Sequence, residues 1–173
     1  MKSFFCESDI KMKKILFVGI LVVSMLCIFT SLSSGTSQVG VTLYFTDAQV
    51  MKLIPVRMSI PQTSTQVQAK IVINELIKGR DNNKSIKRTI PNIKNGISVK
   101  VKDEIAYVDI KNEVVANHQE GRDLEILTVY SIVNSLTSIE GITNVRFTVN
   151  GKKQKDFMGY IDMRETFIPD YMV

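Results

Sequence analysis

Two runs, Ile97-Ser-Val-Lys-Val-Lys102 and Ile105-Ala-Tyr-Val-Asp-Ile110, alternate apolar and polar residues, with only Asp103-Glu104 between them. A two-residue turn at that point predicts a hairpin in which Val101 faces Ala106, Val99 faces Val108 and Ile97 faces Ile110. All three pairs are apolar and share one face. The other face pairs Lys102 with Ile105, Lys100 with Tyr107 and Ser98 with Asp109. Slipping the register by one residue would mix the two faces, so the alternation strongly specifies the pairing. Glu104 stands where a type I′ turn prefers Gly, which leaves a longer loop as the other way to close the hairpin.

The same reasoning extends to both sides of the hairpin. Val41-Thr-Leu-Tyr-Phe-Thr46 alternates, with Val41, Leu43 and Phe45 on one face and Asp47 as its end. Leu53 to Ile60 is extended, and Pro55 and Pro61 restrict it to a sheet edge. Thr63-Ser-Thr65 offers N-cap residues and Gly79 a helix stop, while Ala69, Val72, Ile73 and Leu76 fall on one helical stripe. Residues 80 to 93 read as a polar connector. A second helix is expected from about Asp123 to Ile139, stopped by Gly141, with Ile126, Val129, Tyr130, Val133 and Leu136 inward. Val145, Phe147 and Val149 then alternate with polar residues up to the turn signal Asn150-Gly151, and Lys152 to Met158 reads as an edge or loop. Alternating strands have one covered and one wet face. The expectation is an α+β two-layer sandwich, a mixed or antiparallel sheet with two helices on one face.

The amino terminus stands apart. Lys11, Lys13 and Lys14 precede an uncharged apolar run from Ile15 to Phe29, the layout of a secretory signal or a signal anchor. At ~1.5 Å per residue this run spans roughly 22 Å, and about 27 Å if extended to Leu32, against a ~30 Å hydrocarbon core. Cleavage and retention are both open. Cys27 would permit lipidation after cleavage, but Leu26 stands where a small residue is wanted, so a small apolar residue in a membrane segment is the simpler reading. The lysines should stay in the cytoplasm, leaving the remainder outside the membrane or secreted. Residues 1–38 are therefore read as signal or anchor plus the short linker Ser33 to Gln38, and 39–173 as one domain.

Composition narrows the chemistry. Both cysteines, Cys6 and Cys27, precede the domain, which removes disulfides, thiolate zinc sites and a Cys nucleophile from it. His118 is the single histidine, so Ser/His/Asp triads and His-based metal sites are under-supplied. It lies in Asn117-His-Gln-Glu-Gly121 and reads as a solvated loop residue. Asp109 and Glu113 could pair for glycoside cleavage, but Asp109 falls on the wet face of the hairpin and reads as solvated. No Gly-rich phosphate loop is present. No catalytic set, metal site or cofactor is expected.

Order and spacing of short motifs supply a further reading. Val41-Thr-Leu-Tyr-Phe-Thr-Asp47, Leu53-Ile-Pro-Val-Arg57, Ile60-Pro61, Glu75-Leu-Ile-Lys-Gly79 and Ile90-Pro91 are followed by Ser98-Val-Lys-Val101 and Ala106-Tyr-Val-Asp109. Then come Tyr130-Ser-Ile-Val-Asn-Ser-Leu-Thr137, Gly141, Val145, Asn150-Gly-Lys152 and Gly159-Tyr-Ile-Asp162. Together, from Val41 to about Phe167, they resemble the GerMN domain family of sporulation and spore germination proteins. Arg80 departs from the family's Pro after the first helix, and Glu104 from its hairpin Gly; both bear on loop geometry. The resemblance implies a secreted or membrane-anchored, non-enzymatic protein with a ring-building-motif-like fold of the kind found in trans-envelope channels. The best-known member carries two tandem domains, whereas this chain has room for one.

Two patterns suggest surfaces. Lys78 to Lys102 holds eight basic residues and one acid, and Asp103 to Glu125 seven acids and two bases. The basic run has no aromatic residue to stack on bases, so nucleic acid is not an expected partner. Anionic lipid, wall polymer or an acidic protein patch would suit it, and a solvated loop is the plain reading. Ile126 to Ile139 carries no charge, and Thr128, Ser131, Ser135 and Ser138 line a hydroxyl stripe. That stripe is expected either to face another chain or to be covered by the domain's own loops. The candidate interface is thus Thr128, Ser131, Ser135 and Ser138 on one side, with Lys100 and Tyr107 on the wet sheet face as the second patch. The resulting reading is a membrane-tethered assembly or scaffold protein, its partners envelope proteins or copies of itself. The alternative is a module binding peptidoglycan or another envelope ligand, for which Tyr44 and Tyr107 are the available wet-face aromatics.

Overall fold

The computed structural model describes residues 37–80 and 83–173. Expectations for the basic-flanked apolar run, Cys27 and Asp81 lie outside the described residues. Residues Ser37–Val173 form one compact unit.

Strand β1 (Gln38–Asp47) begins at Gln38, the last residue of the expected linker, and pairs antiparallel with β2 (Leu53–Pro61) from Gln38 to Thr46. Helix α1 (Thr65–Lys78) follows, with Ser64 as N-cap and Gly79 as its stop at φ 73°. Its stripe Ala69, Val72, Ile73 and Leu76 is buried, as the spacing predicts. The polar connector contains a short strand, β3 (Ile86–Lys87), which pairs with the end of β1 at Thr46 and Asp47.

Strands β4 (Ile97–Lys102) and β5 (Ile105–Ile110) form the hairpin in the expected register: Val101 opposite Ala106, Val99 opposite Val108, Ile97 opposite Ile110. The turn has only two residues, with φ of 50° at Asp103 and 61° at Glu104. Both central residues thus take the left-handed conformation that a type I′ turn requires, without a glycine. A short helix α2 (Asn112–Ala116) and helix α3 (Arg122–Leu136) lead to β6 (Asn144–Val149), which pairs parallel with β5. A parallel neighbour needs a long crossover, and α2 and α3 provide it.

The fold is α+β. Its strands are shared between two three-stranded sheets, ordered β2-β1-β3 and β4-β5-β6, where alternation alone suggests one. Helix α3 is the reason the division is stable. Ten of its residues are buried, and they point in nearly every direction around the helix axis. A helix apolar or small on all sides belongs in the interior. Val129, Val133 and Leu136 are buried as expected, whereas Ile126 and Tyr130 are half-exposed and Leu127 and Ile132 take core positions. Phe147 and Phe167 meet edge-on at 5.3 Å, which brings the carboxy-terminal segment onto β6.

Candidate functional site

The hydroxyl stripe of α3 is not a surface. Thr128, Ser131 and Ser135 are buried, and Ser138 is half-buried. Three of them face the free edge of β1. The Tyr44 amide donates to Ser135 Oγ at 2.9 Å, Ser131 Oγ donates to the Tyr44 carbonyl, and Ser138 Oγ both accepts from the Thr42 amide and lies 3.0 Å from the Thr42 carbonyl. An unpaired strand edge inside a protein would leave costly polar groups. Short hydroxyl side chains reach these groups where Lys or Glu would not fit. This is the physical reason the segment from Ile126 to Ile139 carries no charge, and it removes Thr128, Ser131, Ser135 and Ser138 from the candidate interface.

Two side-chain amides act in the same way. Gln66 of α1 donates to the Val99 carbonyl at 2.9 Å and accepts from the Val101 amide at 2.8 Å, closing the outer edge of β4. Fully buried Asn134 of α3 donates to the Asp170 carbonyl at 2.6 Å and accepts from its amide at 3.0 Å. A carboxamide offers one donor and one acceptor, which is what a neighbouring strand would offer.

His118 corrects the expectation of a solvated loop residue: it is buried at 7 % exposure. Its Nδ1 donates to the Gln119 carbonyl at 2.7 Å, its Nε2 lies 2.7 Å from Thr128 Oγ1, and Phe157 meets the ring edge-on at 5.3 Å. Burial holds its pKa below the usual histidine value, against the raising effect of the Gln119 bond and the Glu125 charge. Glu125 itself is fully buried, with one oxygen accepting from the Tyr160 amide at 3.2 Å and the other from Ile161 at 3.1 Å. Sequence reasoning missed it because an acid in a first helical turn reads as a solvated dipole partner. Arg80, the departure after α1, bonds Glu75 at 2.7 Å and lies over the Phe45 ring at 5.8 Å.

Asp109 accepts from Thr148 Oγ1 at 2.7 Å, from the Gly151 amide and from Lys111 Nζ at 3.2 Å. Burial raises its pKa, but these three donors outweigh that and hold it below the ordinary carboxylate value. It therefore ties β5 to the turn after β6. Tyr44 is half-buried, with Tyr171 at 5.7 Å.

Lys100 and Tyr107 are directly opposite on β4 and β5, and Arg146 of β6 continues the row in the parallel register. All three are exposed, Tyr107 at 38 %. The outward face of this sheet thus presents an aromatic ring between two cations. Such a row can take an anionic or aromatic partner side chain by charge and ring contact. Among the described residues, no helix is long and apolar enough to cross a membrane, and no group of His, Cys, Asp and Glu is placed to hold a metal ion.

The Germane family model, described as sporulation and spore germination, matches residues 42–155. Comparison with curated proteins finds no match. Among solved structures, a Clostridium perfringens protein assigned as a lipoprotein is 20 % identical, with 76 % of this chain and 88 % of that chain covered and a TM-score of 0.54. The first GerMN domain of the sporulation protein GerM from Bacillus subtilis is 20 % identical over 78 % of this chain and 99 % of that one, TM-score 0.57. The tandem GerMN domains of the same protein match at 20 % identity and TM-score 0.56; 75 % of this chain is covered, but only 45 % of that chain. At this identity the structures show a shared fold, while the family model covers well over half of the sequence. On that match, the chain belongs to the Germane family of sporulation and spore germination domains.

Proposed function

We propose that the protein is an exported, membrane-tethered assembly protein of sporulation or germination, without enzymatic activity, whose working surface is the outward face of the β4-β5-β6 sheet. The observation that carries this reading is the exposed row Lys100, Tyr107 and Arg146 across the three paired strands of one sheet. Tyr and Arg are the side chains that most often anchor protein interfaces. The ionisable side chains held inside the domain support a structural role: both Glu125 oxygens and the Asp109 carboxylate are spent on hydrogen bonds that hold loops. With the hydroxyl stripe inside the fold, one of the two candidate patches remains on the surface. That favours docking on a different envelope protein over head-to-tail self-assembly, which needs two complementary patches.

Tethering rests on the three lysines before the apolar run and agrees with the lipoprotein assignment of the Clostridium perfringens relative. A reporter active only outside the membrane, fused after Val173, should be active. Activity from a cytoplasm-only reporter at that point would overturn the topology. For the surface, Lys100→Glu with Tyr107→Ala should melt like the parent protein yet fail to support sporulation or germination and fail to co-purify an envelope partner. Full function in that variant would show that this face does not carry the role.

A further inference from the structure

A cleft of about 670 Å³ opens between the connector after α1 and the segment that leads into α3. Lys84, Lys87, Arg88 and Thr89 line it from the connector, Asn117 and Gln119 from the facing segment. Among the described residues no carboxylate and no aromatic ring lines it. The connector is rooted in the core by Ile86 and Ile90, so the cations are presented by an anchored segment. Lys84 and Lys87 are exposed and make no ion pair among the described residues, while Arg88 donates to the Lys78 carbonyl at 3.1 Å. Thr89 Oγ1 is buried without a hydrogen-bond partner among the described residues.

We infer that this cleft binds a small phosphate-bearing ligand. Its volume suits a small molecule or one polymer unit, and field lines from like charges in a concave wall concentrate anions there. The absence of a lining ring argues against sugar or base stacking as the main contact. Lysine ammonium groups are point charges suited to phosphate oxygens, and the amides of Asn117 and Gln119 supply neutral donors beside them. This site shares no residue with the Lys100–Tyr107–Arg146 face and is independent of the assembly role. It also gives Lys84, Lys87 and Arg88, three of the basic residues between Lys78 and Lys102, a common role.

Isothermal titration of the full chain in neutral detergent micelles with sn-glycerol 3-phosphate tests the assignment. Saturable binding to one site is expected. Lys84→Glu with Lys87→Glu should weaken it by about tenfold or more, as expected when attraction at close range becomes repulsion. Lys84→Gln and Lys87→Gln should each give a smaller loss. Lys152→Glu with Lys153→Glu, two exposed positions outside the cleft, changes the net charge equally and should leave binding unchanged. Equal weakening in both charge-reversed pairs would reduce the effect to net charge and overturn the site. So would absence of saturation, or acetate binding as tightly as glycerol phosphate. Binding to phosphatidylglycerol vesicles with none to the soluble ligand would overturn it in favour of surface attraction to a membrane.

Discussion

Ser135 and Tyr44 lie 91 positions apart, yet the Tyr44 amide donates to the Ser135 hydroxyl at 2.9 Å. The bond joins the carboxy-terminal end of α3 to the free edge of β1. With Ser131 and Ser138 it lets a helix do what a fourth strand would otherwise do for this sheet. Gln66 repeats the arrangement at β4. The helices hold the domain together through backbone groups of strands as well as through apolar packing.

Ser135→Ala should therefore destabilise the domain by about 1–3 kcal/mol, because the Tyr44 amide loses its buried acceptor. Ser131→Lys with Ser135→Lys should prevent folding, since two ammonium groups would enter an interior with no partner for them. Chemical denaturation and circular dichroism would decide it; a double variant that melts like the parent would mean α3 is not seated on β1 as described.

The hairpin separates two neighbouring positions. Val99→Asp should cost several kcal/mol by burying an unpaired carboxylate, while Lys100→Ala, exposed one residue later, should cost under about 0.5 kcal/mol. Comparable losses in urea titrations would contradict the register.

Glu104 adopts φ 61° in the turn. A left-handed conformation costs an L-residue about 1–2 kcal/mol, part of which glycine returns as greater freedom in the unfolded chain. Glu104→Gly should raise stability by up to about 1 kcal/mol. A lower urea midpoint for this variant would show that the side chain itself supports the turn.

Glu125 holds the loop around Tyr160 and Ile161 by two backbone amides. Glu125→Ala should speed amide hydrogen exchange at both positions and cost about 1.5–3 kcal/mol, the usual range for bonds to a charged acceptor. Unchanged exchange there would assign the loop's order to other contacts.

His118 carries a pH dependence with a defined sign. Its folded pKa is depressed by burial below the ordinary 6.5, so the unfolded chain takes up the proton first. The stability it contributes is complete above about pH 6.5 and is lost as pH falls through the folded value. Asp109, also depressed in the folded state, acts only lower: its contribution is present above 3.8 and is lost as pH falls below that. Melting temperature should drop between pH 7.5 and 5.5, and His118→Gln should flatten that slope. His118→Ala should also lower stability at neutral pH, by about 1–3 kcal/mol, because the ring fills a buried space against Phe157.

Local pattern alone determined the hairpin, the edge position of β2, the inward stripe of α1 and the strand at Val145 to Val149. Each rests on a period of 2 or 3.6 residues, or on Pro and Gly chemistry, that needs only near neighbours to be read. Tertiary structure decided the rest. Whether a hydroxyl stripe faces solvent, a partner or the domain's own strand depends on what lies across from it, and periodicity carries no information about that. The same holds for Glu125 and His118, whose polar side chains read as solvated until distant loops are brought over them. Division into two sheets was equally hidden, because alternation marks a strand's covered face but says nothing about which edges find a strand and which find Ser131, Ser135 or Gln66.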